Sequence, residues 1–200
     1  GFCLDKCIHY PLKLYFNSNV TKLMIEVKNL HKSFNDTEVL KGISTVFESG
    51  KTNLIIGQSG SGKTVLLKCL LGLFNYEKGS ISYDGNLFLS LSDNEKRTLR
   101  SQIGMVFQGG ALFDSLTIAE NVMFPLRMFT KQSRSEMEDR VNSALKRVNL
   151  DDAHHKMPSE ASGGMQKRVA IARAIVNNPR YLFCDEPNSG LDPKTAIVID

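Results

Sequence analysis

The chain alternates short apolar runs with polar, glycine-containing turns, and this pattern predicts strands and helices in succession. Runs rich in branched and aromatic residues predict strands at residues 23–27, 43–48, 53–56, 81–85, 103–107 and 181–184. Apolar residues that recur every three or four positions predict helices at residues 63–74, 115–150 and 165–176. This order of elements is typical of an α/β domain with a buried parallel sheet.

Two of the predicted helices have an apolar face that is expected to point inward. On the first, this face comprises Val65, Leu66, Leu70 and Leu73, and on the second it comprises Met137, Val141, Leu145 and Val148. An Asp84-Gly85 turn is expected to close a hairpin after the strand at residues 81–83. Residues 1–22 show no sustained period, so they are left as an unassigned N-terminal extension.

Composition and charge exclude several classes of function. The 42% hydrophobic and 23% charged content is that of a folded protein, and the net charge of +4 comes without any run of Lys or Arg. No nucleic-acid partner is therefore expected. No apolar stretch approaches the ~18 residues that a membrane span needs. The four cysteines are too scattered for a disulfide framework, and Cys3 and Cys7 lack the second pair of a zinc site, which indicates a reducing compartment.

A phosphate-binding loop is the clearest chemical signal. Residues 57–64 match G-x-x-x-x-G-K-[ST] at every fixed position, between an apolar strand and an apolar helix. Glycines let successive amides turn toward phosphate oxygens, and the helix N-terminus adds its positive end. Lys63 supplies charge to the outer phosphates, and the Thr64 hydroxyl is a Mg²⁺ ligand. The predicted nucleotide-binding residues here are Gly57, Gln58, Ser59, Gly60, Ser61, Gly62, Lys63, Thr64 and Val65.

A second strand end supplies two carboxylates. The apolar run at residues 181–184 ends on Asp185 and Glu186, and the carboxyl ends of parallel strands face the ligand crevice. Asp185 is expected to hold Mg²⁺ through water, and Glu186 to polarise the attacking water. The alternative is an acidic strand end that merely faces solvent, which pairing with the loop at Lys63 argues against. Together the two sites predict a nucleoside triphosphatase.

Between these sites the chain resembles the ATP-binding subunits of ABC transporters. The segment SGGMQ at residues 162–166 opens a helix that is similar to the family's signature motif, carried by Ser162, Gly163 and Gly164. Gln108 matches the Q-loop, and residues 189–192, which end in Asp192, match the D-loop. Phe34 occupies the place of the aromatic that stacks on adenine in the family, although a single phenylalanine is more often a core residue. These elements follow the family's order over residues 34–192.

The resemblance implies an architecture. It implies a P-loop NTPase of RecA-like type, with a parallel-sheet core, an N-terminal antiparallel β-subdomain and an inserted α-helical signature subdomain. On this view the ATP-binding domain covers residues 23–200, and the helical insertion covers about 109–165.

The resemblance also implies a mechanism and partners. Two such domains pair head to tail, so that the signature residues and Asp192 of one complete the ATP site held at Lys63 of the other. Gln108 contacts Mg²⁺ and joins the nucleotide to the helical subdomain, which receives a helix from an integral membrane permease. The chain is accordingly expected to hydrolyse ATP with Mg²⁺, in the cytoplasm, on the inner face of the cell membrane.

A narrower resemblance surrounds the Q-loop. Residues 107–115 and 121–127 look like the ATP-binding subunits of Mla-like, MCE-type transporters, which move phospholipids between bacterial membranes. Importers of amino acids or other small solutes have related sequences and stay as an alternative. Further alternatives are a soluble ABC ATPase, which would carry tandem cassettes or long insertions, and a fragment that binds ATP without turnover. A nucleotide kinase would have no reason to carry the Ser162–Gly164 segment.

Two departures from the family pattern affect these expectations. Ala161 stands where the family usually has Leu, which is expected to loosen packing behind the signature loop. The chain ends at Asp200, and its histidines (His9, His31, His154 and His155) all precede the place of the family's switch histidine. A truncated sequence with little hydrolysis of its own is therefore expected, with residues 1–22 read from upstream of a start at Met24.

Overall fold

The computed structural model of the chain describes residues 12–16 and 24–185, which form two sheets and five α-helices. The strands are β1 (Leu12–Phe16), β2 (Met24–Phe34), β3 (Thr37–Glu48), β4 (Asn53–Ile55), β5 (Lys78–Tyr83), β6 (Asn86–Leu87), β7 (Ile103–Val106) and β8 (Tyr181–Cys184). The α-helices are α1 (Lys63–Leu70), α2 (Asp93–Ser101), α3 (Ile118–Phe129), α4 (Arg134–Arg147) and α5 (Gly163–Ile175). Two 3-10 turns lie at Phe88–Ser90 and Pro158–Glu160.

One sheet is antiparallel, with strand order β3-β2-β5-β6. The inner strand β2 alternates buried Ile25 and Val27 with less buried Glu26, as the period of two predicts. The predicted Asp84-Gly85 turn is confirmed, since it joins β5 to β6 with positive φ at both residues. β2 and β3 are longer than predicted, because backbone pairing continues through polar residues up to the hairpin turn at Asn35.

The other sheet has the order β4-β1-β8-β7 and carries the loops of the predicted site. β7 and β8 are parallel, and β1 is antiparallel to both β4 and β8, so β4 runs in the same direction as β8. The predicted parallel core is therefore present, with one antiparallel strand inside it. No element was predicted in residues 1–22, whereas β1 lies there. Five residues are too few to display a sustained period.

A first apolar core lies between the two sheets and α1. It includes Leu67 and Leu70 of α1, Ile81 of β5 and Phe183 of β8, all fully buried. α1 ends at Leu70, earlier than predicted, because the chain turns at Gly72 with φ +66°. The prediction that Leu73 points inward is wrong, since this side chain is 56% exposed.

A second core joins α3, α4 and α5. The predicted helical stretch at residues 115–150 is two helices, separated by a capped break at Ser133. Val141, Leu145 and Val148 are buried as predicted, and Met137 is partly buried against them. The sequence prediction missed α2, although its capping box, in which Ser92 pairs with Glu95, is a readable helix-start signal.

Candidate nucleotide-binding site

The glycine-rich loop connects β4 to α1 and is tightly wound. A Cβ atom on Gly57 would lie 2.5 Å from Ser61 Oγ, so a side chain there would require the Ser61 hydroxyl to move. Gly62 is the N-cap of α1 with φ +93°, and a Cβ there would press on Val39 and Leu40 at 3.1 Å. The Ser61 amide donates to the Gln58 carbonyl at 3.0 Å. The positive φ at Gly60 and Gly62 therefore favours glycine at these two positions of the loop.

The lysine of this loop lies back across it. Lys63 Nζ donates to the Gly57 carbonyl at 2.7 Å and to the Gln58 carbonyl at 3.0 Å. These bonds hold the ammonium group against the carbonyls at the start of the loop. A phosphate group that entered the loop would meet this positive charge together with the backbone amides.

The two helices that begin at the predicted phosphate contacts, α1 and α5, differ from the other three helices in their first turn. α2, α3 and α4 each begin with a capping box, and the glutamate of each box lies in the first turn of its helix. Hydrogen bonds from the cap residue lower the pKa of these glutamates, which are Glu95, Glu120 and Glu136. α1 and α5, which begin at Lys63 and Gly163, have no acidic residue in the first turn. No carboxylate of their own first turn therefore offsets the positive ends of these two helices, as a phosphate contact there would require.

The predicted metal ligands Thr64 and Asp185 come together from opposite ends of the sequence. Thr64 Oγ1 donates to Asp185 Oδ1 at 3.5 Å, and the Asp185 amide donates to the Val106 carbonyl at 2.9 Å. Asp185 is only 4% exposed, and burial raises its pKa. A hydroxyl and a carboxylate oxygen suit Mg²⁺, which takes its remaining ligands from water and phosphate. Residues 24–185 contain no group of three or more His, Cys, Asp or Glu side chains placed to hold a metal.

Gln108 lies on the same edge of the sheet as Asp185. It follows β7, whose last residue, Val106, is in register with Cys184 at the end of β8. The following residues Gly109, Gly110 and Ala111 all have positive φ, at +76°, +81° and +46°. A left-handed backbone of this kind is unusual for Ala111 and needs support from the surrounding structure.

That support comes from Arg173, a residue that sequence reasoning missed. From α5, its Nη1 donates to the Ala111 carbonyl at 2.8 Å and its Nη2 to the Gly110 carbonyl at 2.6 Å. Within the signature helix this residue looks like any other arginine of a helical run. Only the fold places it against a loop about sixty residues earlier in the chain, so no local signal could have identified it.

Phe34 lies at the end of β2 and is partly exposed. Its ring packs edge-on against Phe74 with centroids 5.4 Å apart, and Lys32 Nζ lies 5.0 Å from its centroid. Lys68 of α1 in turn lies 5.1 Å from the centroid of Phe74, which connects this aromatic pair to the helix that follows the glycine-rich loop. Its stacking on adenine stays a prediction.

The signature segment is exposed at the start of α5. Ser162 caps the helix by accepting from the Met165 amide at 3.3 Å, and Gly163 has open space around its Cα. Ala161 is buried in the helical core, and Gln166 Nε2 donates to its carbonyl at 3.2 Å. The predicted catalytic Glu186 and the D-loop with Asp192 lie outside the described residues.

A cleft of about 250 Å³ opens beside the Q-loop, between β7, α3 and α5. Its walls are mostly apolar and include Phe107, Phe113, Phe124 and Met128. Phe113 is 42% exposed, and its ring packs against that of Phe124 at 4.7 Å between centroids. Asn121 fixes this wall, since it accepts from the Phe113 amide at 2.8 Å and donates to the Phe113 carbonyl at 3.1 Å. The cleft is thus a preformed apolar surface next to the predicted nucleotide site.

The fold and the loop define a P-loop nucleotide-binding cassette, and comparison with known proteins gives the family. The family model described as "ABC transporter" matches residues 40–189. The chain therefore belongs to the ABC transporter family.

The chain is similar to several curated proteins, two of which are named as ATP-binding proteins of transport systems. The chain is 44% identical over 175 residues to a probable ribonucleotide transport ATP-binding protein, mkl, of Mycobacterium leprae, covering 87% of this chain and 50% of the relative. It is 44% identical to the methionine import ATP-binding protein MetN of Clostridium tetani, covering 88% and 55%. It is 40% identical to the chloroplastic protein TRIGALACTOSYLDIACYLGLYCEROL 3 of Arabidopsis thaliana, covering 91% and 54%. The chain spans about half the length of these relatives.

Solved structures agree with this fold. A dimeric, post-hydrolysis structure of the ATP-binding cassette MJ0796 bound to ADP and Pi matches with a TM-score of 0.73 at 31% identity, covering 88% of this chain and 79% of that chain. A second dimeric structure of the same bacterial ABC transporter cassette matches with a TM-score of 0.75 at 32% identity, with the same coverage. The predicted fold class is confirmed.

Proposed function

We propose that this chain is the ATP-binding and ATP-hydrolysing subunit of an ABC transporter. The observation that carries the proposal is the meeting of the glycine-rich loop with a buried carboxylate, at the contact between Thr64 and Asp185. This contact lies within a chain that the family model matches over residues 40–189. A structural P-loop without catalysis would have no need of the buried Asp185, which costs free energy to ionise.

Different side chains carry out phosphate binding, Mg²⁺ binding and activation of the attacking water in this proposal. The amides at the start of α1 and the Lys63 ammonium bind the ATP phosphates, and Phe34 stacks on the base. Thr64, Asp185 and Gln108 hold Mg²⁺, which neutralises charge on the β- and γ-phosphates when bound. Glu186 accepts a proton from the attacking water. The chain supplies position and electrostatics, which is most of what phosphoryl transfer requires.

A head-to-tail dimer completes each site. Ser162 and Gly163 are exposed at the positive end of α5, and α5 carries no acidic residue in its first turn. An exposed anion-binding surface without a ligand in its own chain fits the γ-phosphate held by a second copy, which Asp192 also approaches. The matching MJ0796 cassette is itself dimeric.

The apolar cleft beside the Q-loop is the proposed docking site for a permease. Residues 24–185 contain no helix long and apolar enough to span a membrane. Phe107, Phe113 and Met128 offer an apolar surface of the kind that receives one amphipathic helix. The relatives are named as ATP-binding proteins of transport systems. A cytoplasmic helix of a membrane subunit is the occupant we propose, which would place the chain on the inner face of the membrane.

Phospholipid is the proposed cargo. The segments at residues 107–115 and 121–127 resemble Mla-like subunits, and one relative is named after a glycolipid, trigalactosyldiacylglycerol. The second candidate is import of a small solute, which the names of the ribonucleotide, methionine and spermidine/putrescine relatives favour. ATPase activity of the complex reconstituted in phospholipid bilayers separates the two. Stimulation by added methionine, spermidine or ribonucleotide would contradict the lipid assignment.

Hydrolysis is tested with Glu186→Gln in the full-length protein. The variant is expected to bind Mg²⁺ and ATP like the wild type, because the phosphate loop is intact, and to lose at least ~100-fold in turnover because the water has no base. Release of inorganic phosphate and binding of a fluorescent ATP analogue are measured side by side. Lys63→Ala, which should lose binding as well, is the matched control. Wild-type turnover in Glu186→Gln would contradict the role given to Glu186.

A further inference from the structure

Arg173 is a buried cation with an unusual set of partners. It is 9% exposed, and burial lowers the pKa of its guanidinium, which still stays charged. Its hydrogen bonds go to two backbone carbonyls, those of Gly110 and Ala111, and no carboxylate is paired with it among the ion pairs of residues 24–185. Burying a charge without a counter-ion is costly, so these two bonds have to hold it.

The two carbonyls belong to a strained loop. Three successive residues there have positive φ, and Ala111 is not a glycine. Gly110 also lies against α5, since a Cβ at this position would be 3.6 Å from Ala170 Cβ and 3.6 Å from the Gln166 carbonyl. Loop 109–111 is thus held against α5 by the packing of Gly110 and by a charged fork, the two hydrogen bonds that the Arg173 guanidinium donates to the Gly110 and Ala111 carbonyls.

This loop connects two surfaces. Gln108, which we assign to Mg²⁺, precedes it directly, and Phe113 of the apolar cleft follows it. Asn121 of α3 anchors Phe113 on the far side. Arg173 itself lines the cleft. A change in the position of the Arg173 guanidinium would therefore move Gln108 and the cleft wall together.

We propose that Arg173 is a positioning residue, which holds loop 109–111 in its left-handed conformation so that Gln108 reaches the nucleotide-bound Mg²⁺. The proposal rests on the proposed function. In this proposal Arg173 acts through the backbone carbonyls of Gly110 and Ala111, not by direct contact with ATP or the metal. By the same bonds it links the start of the cleft wall to α5, whose N-terminus carries the signature segment.

The test compares ATP binding with and without Mg²⁺. A fluorescent ATP analogue is titrated into the full-length protein in excess Mg²⁺ and in EDTA, and the ratio of the two dissociation constants is the Mg²⁺ gain. Arg173→Gln keeps a polar side chain but loses the charged fork. We expect its dissociation constant in EDTA to stay within about twofold of the wild type, and its Mg²⁺ gain to fall about tenfold. Arg173→Lys, which can keep one charged bond, should recover part of the gain.

A second arginine of the same helix is the matched control. Arg168 Nη1 donates to the carbonyls of Val148 and Asn149 at 3.2 and 3.1 Å, on the side of α5 that faces the helical core. Arg168→Gln removes bonds of the same kind and should leave the Mg²⁺ gain unchanged. Gln108→Ala should lower the gain, and combining it with Arg173→Gln should lower it no further, because both substitutions break the same link.

Four results would overturn the inference. Equal weakening of binding with and without Mg²⁺ in Arg173→Gln would mean a general loss of structure. Additive losses in the double variant would mean that Arg173 acts by another route. A full Mg²⁺ gain in Arg173→Gln, with binding in EDTA unchanged, would refute the inference alone, whereas a wild type without any Mg²⁺ gain would refute the proposed function with it. Hydrogen exchange of the amides of residues 109–113 should be faster in Arg173→Gln even without nucleotide.

Discussion

Asp185 shows how a single residue gives up stability for chemistry. Burial raises its pKa, against the opposing influence of the Thr64 hydrogen bond and of the Lys68 and Lys63 charges. A carboxyl with a raised pKa in the folded state favours folding only while it is protonated, and this contribution is lost as the pH rises through its titration. At neutral pH the ionised Asp185 therefore destabilises the nucleotide-free protein.

Asp185→Asn should accordingly stabilise the nucleotide-free protein at pH 7.5 by about 1 kcal/mol. The difference should shrink as the pH falls toward the ordinary range of a carboxyl group, where the wild type becomes neutral too. Thermal unfolding in EDTA over a pH series measures it. The same variant should lose the stabilisation that Mg²⁺ with ATP gives the wild type. If the stability of Asp185→Asn relative to the wild type were lower at pH 7.5 than at low pH, the predicted direction of the pH dependence would be wrong.

At the scale of elements, the start of α5 differs from the capped starts of α2, α3 and α4. Ser162 accepts from the Met165 amide, but position 165 has no glutamate to complete a capping box. Met165→Glu and Met165→Gln would both complete the box and would both lose the partial packing of Met165 on the helical core. The two variants should thus unfold at similar denaturant concentrations, with free energies of unfolding within ~0.5 kcal/mol of each other.

Their function should differ, because only one adds a negative charge. In the proposed dimer the start of α5 faces the γ-phosphate of the partner's ATP, so Met165→Glu should weaken ATP-dependent dimerisation at least about tenfold relative to Met165→Gln. Size-exclusion chromatography with light scattering, on variants that also carry Glu186→Gln to prevent hydrolysis, measures the dimer. Equal dimerisation of the two variants would argue against an anion at this helix end.

At the scale of the whole molecule, the proposed dimer shares each ATP site between two chains. Two inactive variants with defects in different halves of the site are therefore expected to restore activity when they are mixed. Lys63→Ala disables the phosphate loop, and Gly163→Asp places a carboxylate in the open space at the start of α5 without a steric clash. Each variant alone should be inactive. A mixed dimer has one site with both defects and one site with neither, and roughly half the dimers in an equal mixture are mixed.

ATP hydrolysis should therefore reappear on mixing the two inactive variants. Phosphate release is measured as a function of the mixing ratio, with a maximum expected near equal amounts. Gly163→Ala, which adds bulk without charge, is the control for the signature substitution. A mixture as inactive as its components would contradict a head-to-tail arrangement with shared sites.

The predicted phosphate-binding chemistry of this protein is carried by contiguous residues, so it could be proposed from the sequence alone. Residues 57–64 give a phosphate loop wherever an apolar strand precedes them and a helix follows, since glycine conformations and helix-end amides are local properties. The hairpin at Asp84-Gly85 and the buried faces of α4 follow from equally short patterns. The order of the motifs along the chain then indicated the family.

What the tertiary structure decided is which distant residues meet. Thr64 and Asp185 are 121 positions apart, and Arg173 is 63 positions from Gly110, so no window of sequence contains either contact. The position of β1 between β4 and β8 could not be predicted either, because strands pair through backbone groups that are the same in every residue except proline. Local propensity fixes the elements, whereas the pairing of strands and the packing of helices bring Thr64 to Asp185 and Arg173 to the loop that follows Gln108.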